Sequence, residues 1–122
     1  MVGYRYWNAR PDGFIKNDCV TRAISYASGL SYDTIKEKLY YIGKLLDCDP
    51  LCLDCYEFLL VDYFKYRPIE CYGMPLYEFA DLHPEGLYLV RANGHISVID
   101  DYTVIDTWDC RGMILTNAWR IL

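Results

Sequence analysis

A cysteine attacks as the thiolate, and Cys19 sits where that ion would be favoured. It follows Asn17 and Asp18, either of which can cap a helix, so it falls in a first turn whose free N–H groups and dipole stabilise an anion. A thiolate used in acyl transfer also needs a base. The chain has two histidines. His95 opens a β-type run after Gly94, where a side chain can project from a sheet edge toward a facing helix end, whereas His83, before Pro84, reads as a surface turn. Asp106 lies on the strand expected to return across the next hairpin, near enough to accept the second imidazole N–H and fix its tautomer. Cys19, His95 and Asp106 together form a set able to cleave an amide or related acyl bond through a thioester. Trp108 shares a face with Asp106, where it either shields the ion pair from water or packs as plain core.

Plainer roles compete for the same residue types. Without the His–Asp hairpin, Cys19 would read as a small buried apolar residue. Asp100 or Asp101 suits a turn cap, Asp109 a solvated loop carboxylate, and Arg22 a weak pairing with a surface acid. Cys48, Cys52 and Cys55 have the Cys-x3-Cys-x2-Cys spacing that holds an iron–sulfur cluster in radical enzymes. Such enzymes need a partial barrel far larger than this chain, and Cys52 and Cys55 fall on an inward helical face. Zinc would need a fourth ligand from Cys71 or Cys110. No metal and no cofactor is expected.

The elements that must position these groups follow from periodicity. Val20, Ala23, Ile24 and Ala27 mark one apolar helical face, and Gly29 stands where a left-handed C-cap belongs. Ser31 suits the N-cap of a second helix, with Ile35, Leu39, Ile42, Leu45 and Leu46 on one face and Gly43 a slight weakness. Asp49–Pro50 suits the start of a third helix, running through Cys55, Phe58, Leu59 and Asp62 to about Lys65, with Arg67–Pro68 closing it. Trp7–Gly13 reads as a loop. Beyond Pro68 the period changes: a short strand at Ile69–Tyr72, a short helix at Pro75–Asp81, a turn at His83–Gly86, then strands at Leu87–Val90, His95–Ile99, Thr103–Thr107 and near Met113–Ile121. Helices first and strands last predict a single α+β domain over 1–122, with N-terminal helices packed on a C-terminal antiparallel sheet.

Composition agrees with one globular unit. The chain has 122 residues, 53% of them hydrophobic and 24% charged, which suffices for one core. Thirteen tyrosines call for a polar partner at each buried hydroxyl. Net charge is −5 and the 12 basic residues are scattered, which argues against a nucleic-acid partner. No stretch approaches the roughly 20 apolar residues of a membrane span, and Met1–Arg10 has no signal-like apolar run, so a cytoplasmic protein with reduced cysteines is expected.

Three segments carry a family resemblance: Asn17-Asp18-Cys19-Val20-Thr21-Arg22-Ala23-Ile24, Gly94-His95-Ile96-Ser97-Val98-Ile99-Asp100, and Val104-Ile105-Asp106-Thr107-Trp108-Asp109. Together with Phe79–Tyr88, they resemble short papain-like cysteine-peptidase-fold proteins of bacteria and phages, related to the bacteriocin-leader peptidases of the double-glycine type. The resemblance implies a papain-like fold with Cys19 as nucleophile, His95 as base and Asp106 as orienting acid. It would place a phage-encoded protein in the host cytoplasm. Papain-like enzymes usually carry a glutamine a few residues before the cysteine as an oxyanion donor, and this chain contains none. The main-chain N–H of Cys19, aided by Asn17 or Asn8, is expected to serve instead.

The function expected is a thiol hydrolase, a cysteine peptidase or amidase, acting on a peptide or protein. The missing glutamine motivates the rival, a non-catalytic papain-like binding or effector protein that occupies a host protein.

Overall fold

The apolar face of the first helix forms as its spacing requires. In the computed structural model, which describes residues 1–13 and 18–121, α1 (Cys19–Ser28) buries Val20, Ala23, Ile24 and Ala27 and ends at Gly29 in the left-handed conformation, φ 76°. The side chain of Ser31 caps α2 (Tyr32–Leu46) by accepting from the Thr34 N–H. Gly43 is there for space. A Cβ on it would lie 2.9 Å from the Cys48 carbonyl oxygen and 3.2 Å from Pro50, because the chain folds back over α2 at that point.

The third helix differs from expectation. Asp49 accepts from the Leu51 N–H and organises a turn, so α3 (Leu53–Glu57) starts after Cys52 and then widens into a π-helical turn over Phe58–Tyr63. Arg67–Pro68 does not merely close that helix. With Ile69 it forms β2 (Arg67–Ile69), so the strand expected at Ile69–Tyr72 lies earlier in the chain. Pro68 is tolerated because β2 is an edge strand, where a missing N–H costs little. α4 (Leu76–Leu82), β3 (Leu87–Ala92), β4 (His95–Asp100), β5 (Thr103–Asp106) and β6 (Leu115–Arg120) follow close to their expected places.

A further strand at the start, β1 (Gly3–Tyr6), has no counterpart in the sequence expectation. It pairs in parallel with β5, so the six strands, in the order β1-β5-β4-β3-β6-β2, make a mixed sheet rather than the antiparallel one expected. The remaining neighbours are antiparallel. The architecture is α+β.

Alternation along the strands sends side chains to two core clusters. Leu89, Ile96, Val98, Ile105 and Trp119 pack with α1, α2 and α3. Tyr88, Val90, Ile99, Val104 and Leu115 pack with Phe79 and Ala80 of α4. No helix among the described residues is long and apolar enough to cross a membrane.

Candidate active site

Cys19 is the first residue of α1, and Asp18 occupies the cap position without capping. The Asp18 carboxylate instead accepts from the Tyr32 hydroxyl and contacts the Arg22 guanidinium, with Arg10 Nη1 at 3.7 Å. Arg22 is only 7% exposed, so the surface pairing expected of it is replaced by a buried one. Burial works against its charge and lowers its pKa. The first helical hydrogen bond runs from the Arg22 N–H to the Asp18 carbonyl at 3.2 Å. The N–H groups ahead of it have no acceptor within the helix, the position from which a helix start acts on an anion.

β4 presents His95 at its first residue, after a two-residue turn at Asn93–Gly94 in which Gly94 takes φ 84°. Its Nε2 lies 2.7 Å from Asp106 Oδ2. Asp106 is fixed from several directions. Its Oδ1 accepts from the Thr107 N–H at 2.6 Å, and its carbonyl accepts from the Trp7 N–H at 3.0 Å and the Tyr4 hydroxyl at 3.2 Å. Two of those donors belong to β1 or its exit. The unexpected strand therefore anchors the acid of the set.

Electrostatics follow the geometry. Burial disfavours the Asp106 carboxylate, but hydrogen bonds from His95 and the Thr107 N–H, with the His95 charge, hold its pKa below the ordinary value. Burial also disfavours the imidazolium of His95. Hydrogen bonding to Asp106, Cys110 and Cys19 outweighs it and raises the pKa to about 11. Burial pushes the Cys19 thiol up, yet hydrogen bonds from His95 and the Ile96 N–H, with the His95 charge, bring it below its usual 9.0. Both shifts act toward a thiolate–imidazolium pair.

Cys19 and His95 both line a cleft of 420 Å³ whose walls include Cys52, Leu53, Tyr56, Arg91 and Asn93. Trp108 covers the imidazole, with ring centroids 4.8 Å apart, and is itself 50% exposed. It is a partial lid on the pair and not core packing. Of the two expected amide donors, Asn17 lies outside the described residues. Asn8 donates to the Gly13 carbonyl at 3.2 Å and accepts from the Arg10 N–H at 3.0 Å, within its own loop.

One participant was expected only as a possible fourth zinc ligand, not as part of this set. Cys110 is 2% exposed and its thiol donates to Asp106 Oδ2 at 3.5 Å. Burial pushes its pKa up. Ser97, buried two residues along β4, adds a hydroxyl beside the same groups. The alternation of β4 was a signal for Ser97, which shares a face with His95. Cys110 sits in a loop and gave none. Ligand atoms of His95, Asp106 and Cys110 lie within 4.8 Å of one another, one ligand short of a closed zinc site. Cys55 donates its thiol proton to the Leu39 carbonyl at 3.3 Å, and burial drives its pKa to about 12. Cys48, beside it, is raised by burial as well.

The other acids and His83 take structural roles. Asp100 accepts from the Tyr26 hydroxyl at 2.5 Å, Asp101 accepts from the Gly86 N–H at 2.9 Å, and Asp109 pairs with Arg111 at 2.7 Å. His83 is not a bare surface residue, since its ring lies 4.4 Å from Phe79 and 5.4 Å from Tyr88. In comparisons with known proteins, no family model, no curated protein and no solved structure matches this chain.

Proposed function

We propose that the protein is a thiol hydrolase on a papain-like scaffold, cleaving an amide or related acyl bond of a peptide or protein substrate. The observation that carries this reading is an imidazole held at 2.7 Å by the Asp106 carboxylate and sharing the wall of an open cleft with Cys19. With Nε2 held by Asp106, Nδ1 is the nitrogen left for the thiol and for the proton it gives up.

In the proposed cycle Cys19 Sγ attacks the carbonyl carbon, and the first-turn N–H groups of α1 hold the oxyanion. Collapse of the tetrahedral intermediate breaks the acyl bond, and His95 passes its proton to the leaving group. Water, activated by His95, then cleaves the thioester and restores the thiol. Asp106 keeps the imidazole oriented throughout. The absent glutamine is offset by the uncapped helix start, where the Asp18 side chain is withdrawn to Tyr32 and Arg22.

Labelling by an electrophilic thiol probe near neutral pH, with and without Cys19→Ala, tests the reading. Labelling should be fast and confined to Cys19. Equal rates at Cys19 and the other thiols would overturn it. The rival, a protein acting by contact alone, keeps its biological effect in the Cys19→Ala variant, whereas an enzyme loses it.

A further inference from the structure

The cleft that holds Cys19 contains a second cation besides His95. Arg91 lies on β3, paired with Ile96 of β4 and Asn117 of β6, and its side chain is half-buried in the cleft wall. Its Nε donates to the Tyr56 hydroxyl at 2.7 Å, and its Nη1 donates to Thr116 Oγ1 at 2.8 Å and Asn117 Oδ1 at 3.4 Å. Every one of these acceptors is neutral. Among the described residues no carboxylate lies within ion-pair distance of Arg91. Of the acids around the cleft, Asp18 is committed to Arg22 and Tyr32 and Asp106 to His95, while Glu57 is near enough to Tyr56 to act on its hydroxyl but forms no ion pair with Arg91.

Backbone irregularity serves this placement. The register between β3 and β6 shifts at Arg91/Ala92, where Ala92 pairs with Leu115 and Thr116 is the extra residue. That bulge brings the Thr116 hydroxyl against Arg91 twice over, accepting from Nη1 and donating to the Arg91 carbonyl at 3.2 Å. Tyr56 is pinned from behind by Trp119, edge to face at 6.2 Å. The guanidinium is thus held rigidly by neutral oxygens and has no ion-pair partner among the described residues, in a chain whose net charge is −5. A partly desolvated arginine in that state gains most from a carboxylate, which its planar fork fits.

We propose that Arg91 is a substrate-binding residue selecting acyl substrates that carry a free carboxylate near the bond to be cleaved. This rests on Cys19 being the nucleophile of the cleft. The carboxylate is either a chain terminus or an acidic side chain.

The test compares alkylation of Cys19 by iodoacetate with that by its neutral isostere iodoacetamide. In both reactions the thiolate displaces iodide and forms a thioether. The ratio of the two rates is taken within each variant, so a general change in thiol reactivity cancels. Wild type should favour iodoacetate by about tenfold more than Arg91→Gln, in keeping with a charge-assisted hydrogen bond. Arg91→Lys, which keeps the charge and loses the fork, should fall between them and also covers a poorly folded Gln variant. Equal ratios in all three proteins would overturn the proposal. Protection of Cys19 by N-acetylalanine points to a terminal carboxylate, and protection by N-acetylglutamic acid α-amide to a side chain. If neither reagent modifies Cys19, the hydrolase reading fails, and N-acetylalanine titrations then decide Arg91 alone. Saturable shifts of the Arg91 Nε–H signal support the subsite, and their absence in wild type overturns it.

Discussion

Nε2 of His95 and Oδ2 of Asp106 lie 2.7 Å apart, and both side chains are largely shielded from solvent. This contact is the leading influence that raises His95, and His95 is in turn the largest of the influences that lower Cys19, ahead of the Ile96 N–H.

Replacing Asp106 by Asn keeps the shape and an acceptor oxygen but removes the charge. Two consequences for Cys19 oppose each other. The direct repulsion from Asp106, which raises the thiol pKa, disappears, yet it is smaller than the His95 hydrogen bond and charge that weaken with it. The larger influence wins. Alkylation of Cys19 by iodoacetamide at about pH 7 should slow by at least about tenfold in Asp106→Asn, the lower end of what a positioned base contributes. A rate equal to wild type would show that the carboxylate does not act through the imidazole.

The same pair predicts how stability varies with pH. Asp106 is lowered from 3.8, so its contribution is present above that value and is lost as pH falls through its folded pKa. His95 is raised from 6.5 to about 11, so its contribution is complete below 6.5 and is lost as pH rises toward about 11. Urea unfolding should therefore show the wild-type advantage over Asp106→Asn to be greatest between about pH 4 and pH 6.5, shrinking on either side. A difference that stays constant from well below pH 4 to well above pH 6.5 would mean the pair is not ionised in the fold.

Gly43 offers a prediction in which helix propensity and packing disagree. Alanine at an interior helical position normally gains up to about 1 kcal/mol over glycine. Here the new Cβ would meet the Cys48 carbonyl at 2.9 Å and Pro50 at 3.2 Å, and neither is the free end of a flexible side chain. Overpacking costs about 1–3 kcal/mol, so Gly43→Ala should lower the thermal midpoint. A rise would show that the turn at Cys48–Pro50 yields easily.

What was legible in the sequence was whatever a short window determines. The face of α1, the Ser31 cap, the Gly29 terminus and the β3–β5 hairpins all follow from local spacing. Cys19, His95 and Asp106 were recognisable because each lies at the end of such an element. Missing was whatever depends on distant partners. Gly3–Tyr6 becomes a strand only because β5 offers it an edge, and Asp18 leaves its cap because Tyr32 and Arg22 reach it. Cys110 meets Asp106 through a loop with no periodicity. The demand of the tyrosines for polar partners was foreseeable, but not that Tyr26, Tyr32 and Tyr56 would find Asp100, Asp18 and Arg91.

Trp108 separates two physical roles for an aromatic ring above an ion pair. Its ring lies 4.8 Å from the His95 ring at an interplanar angle of 50°, half exposed. As a π partner it favours the imidazolium by about 0.5–1 kcal/mol. As a cover it keeps water away, and burial is the largest influence acting against that charge. Removing the ring therefore pulls the His95 pKa in opposite directions. Desolvation of His95 also comes from the sheet and from α1, which remain in place, whereas the π contact is lost entirely. In Trp108→Ala the imidazole titration followed by NMR should thus move down, with Cys19 alkylation at neutral pH slowing about two- to fivefold. Trp108→Phe should restore most of both. A His95 titration that moves up in Trp108→Ala would assign the indole to excluding water instead.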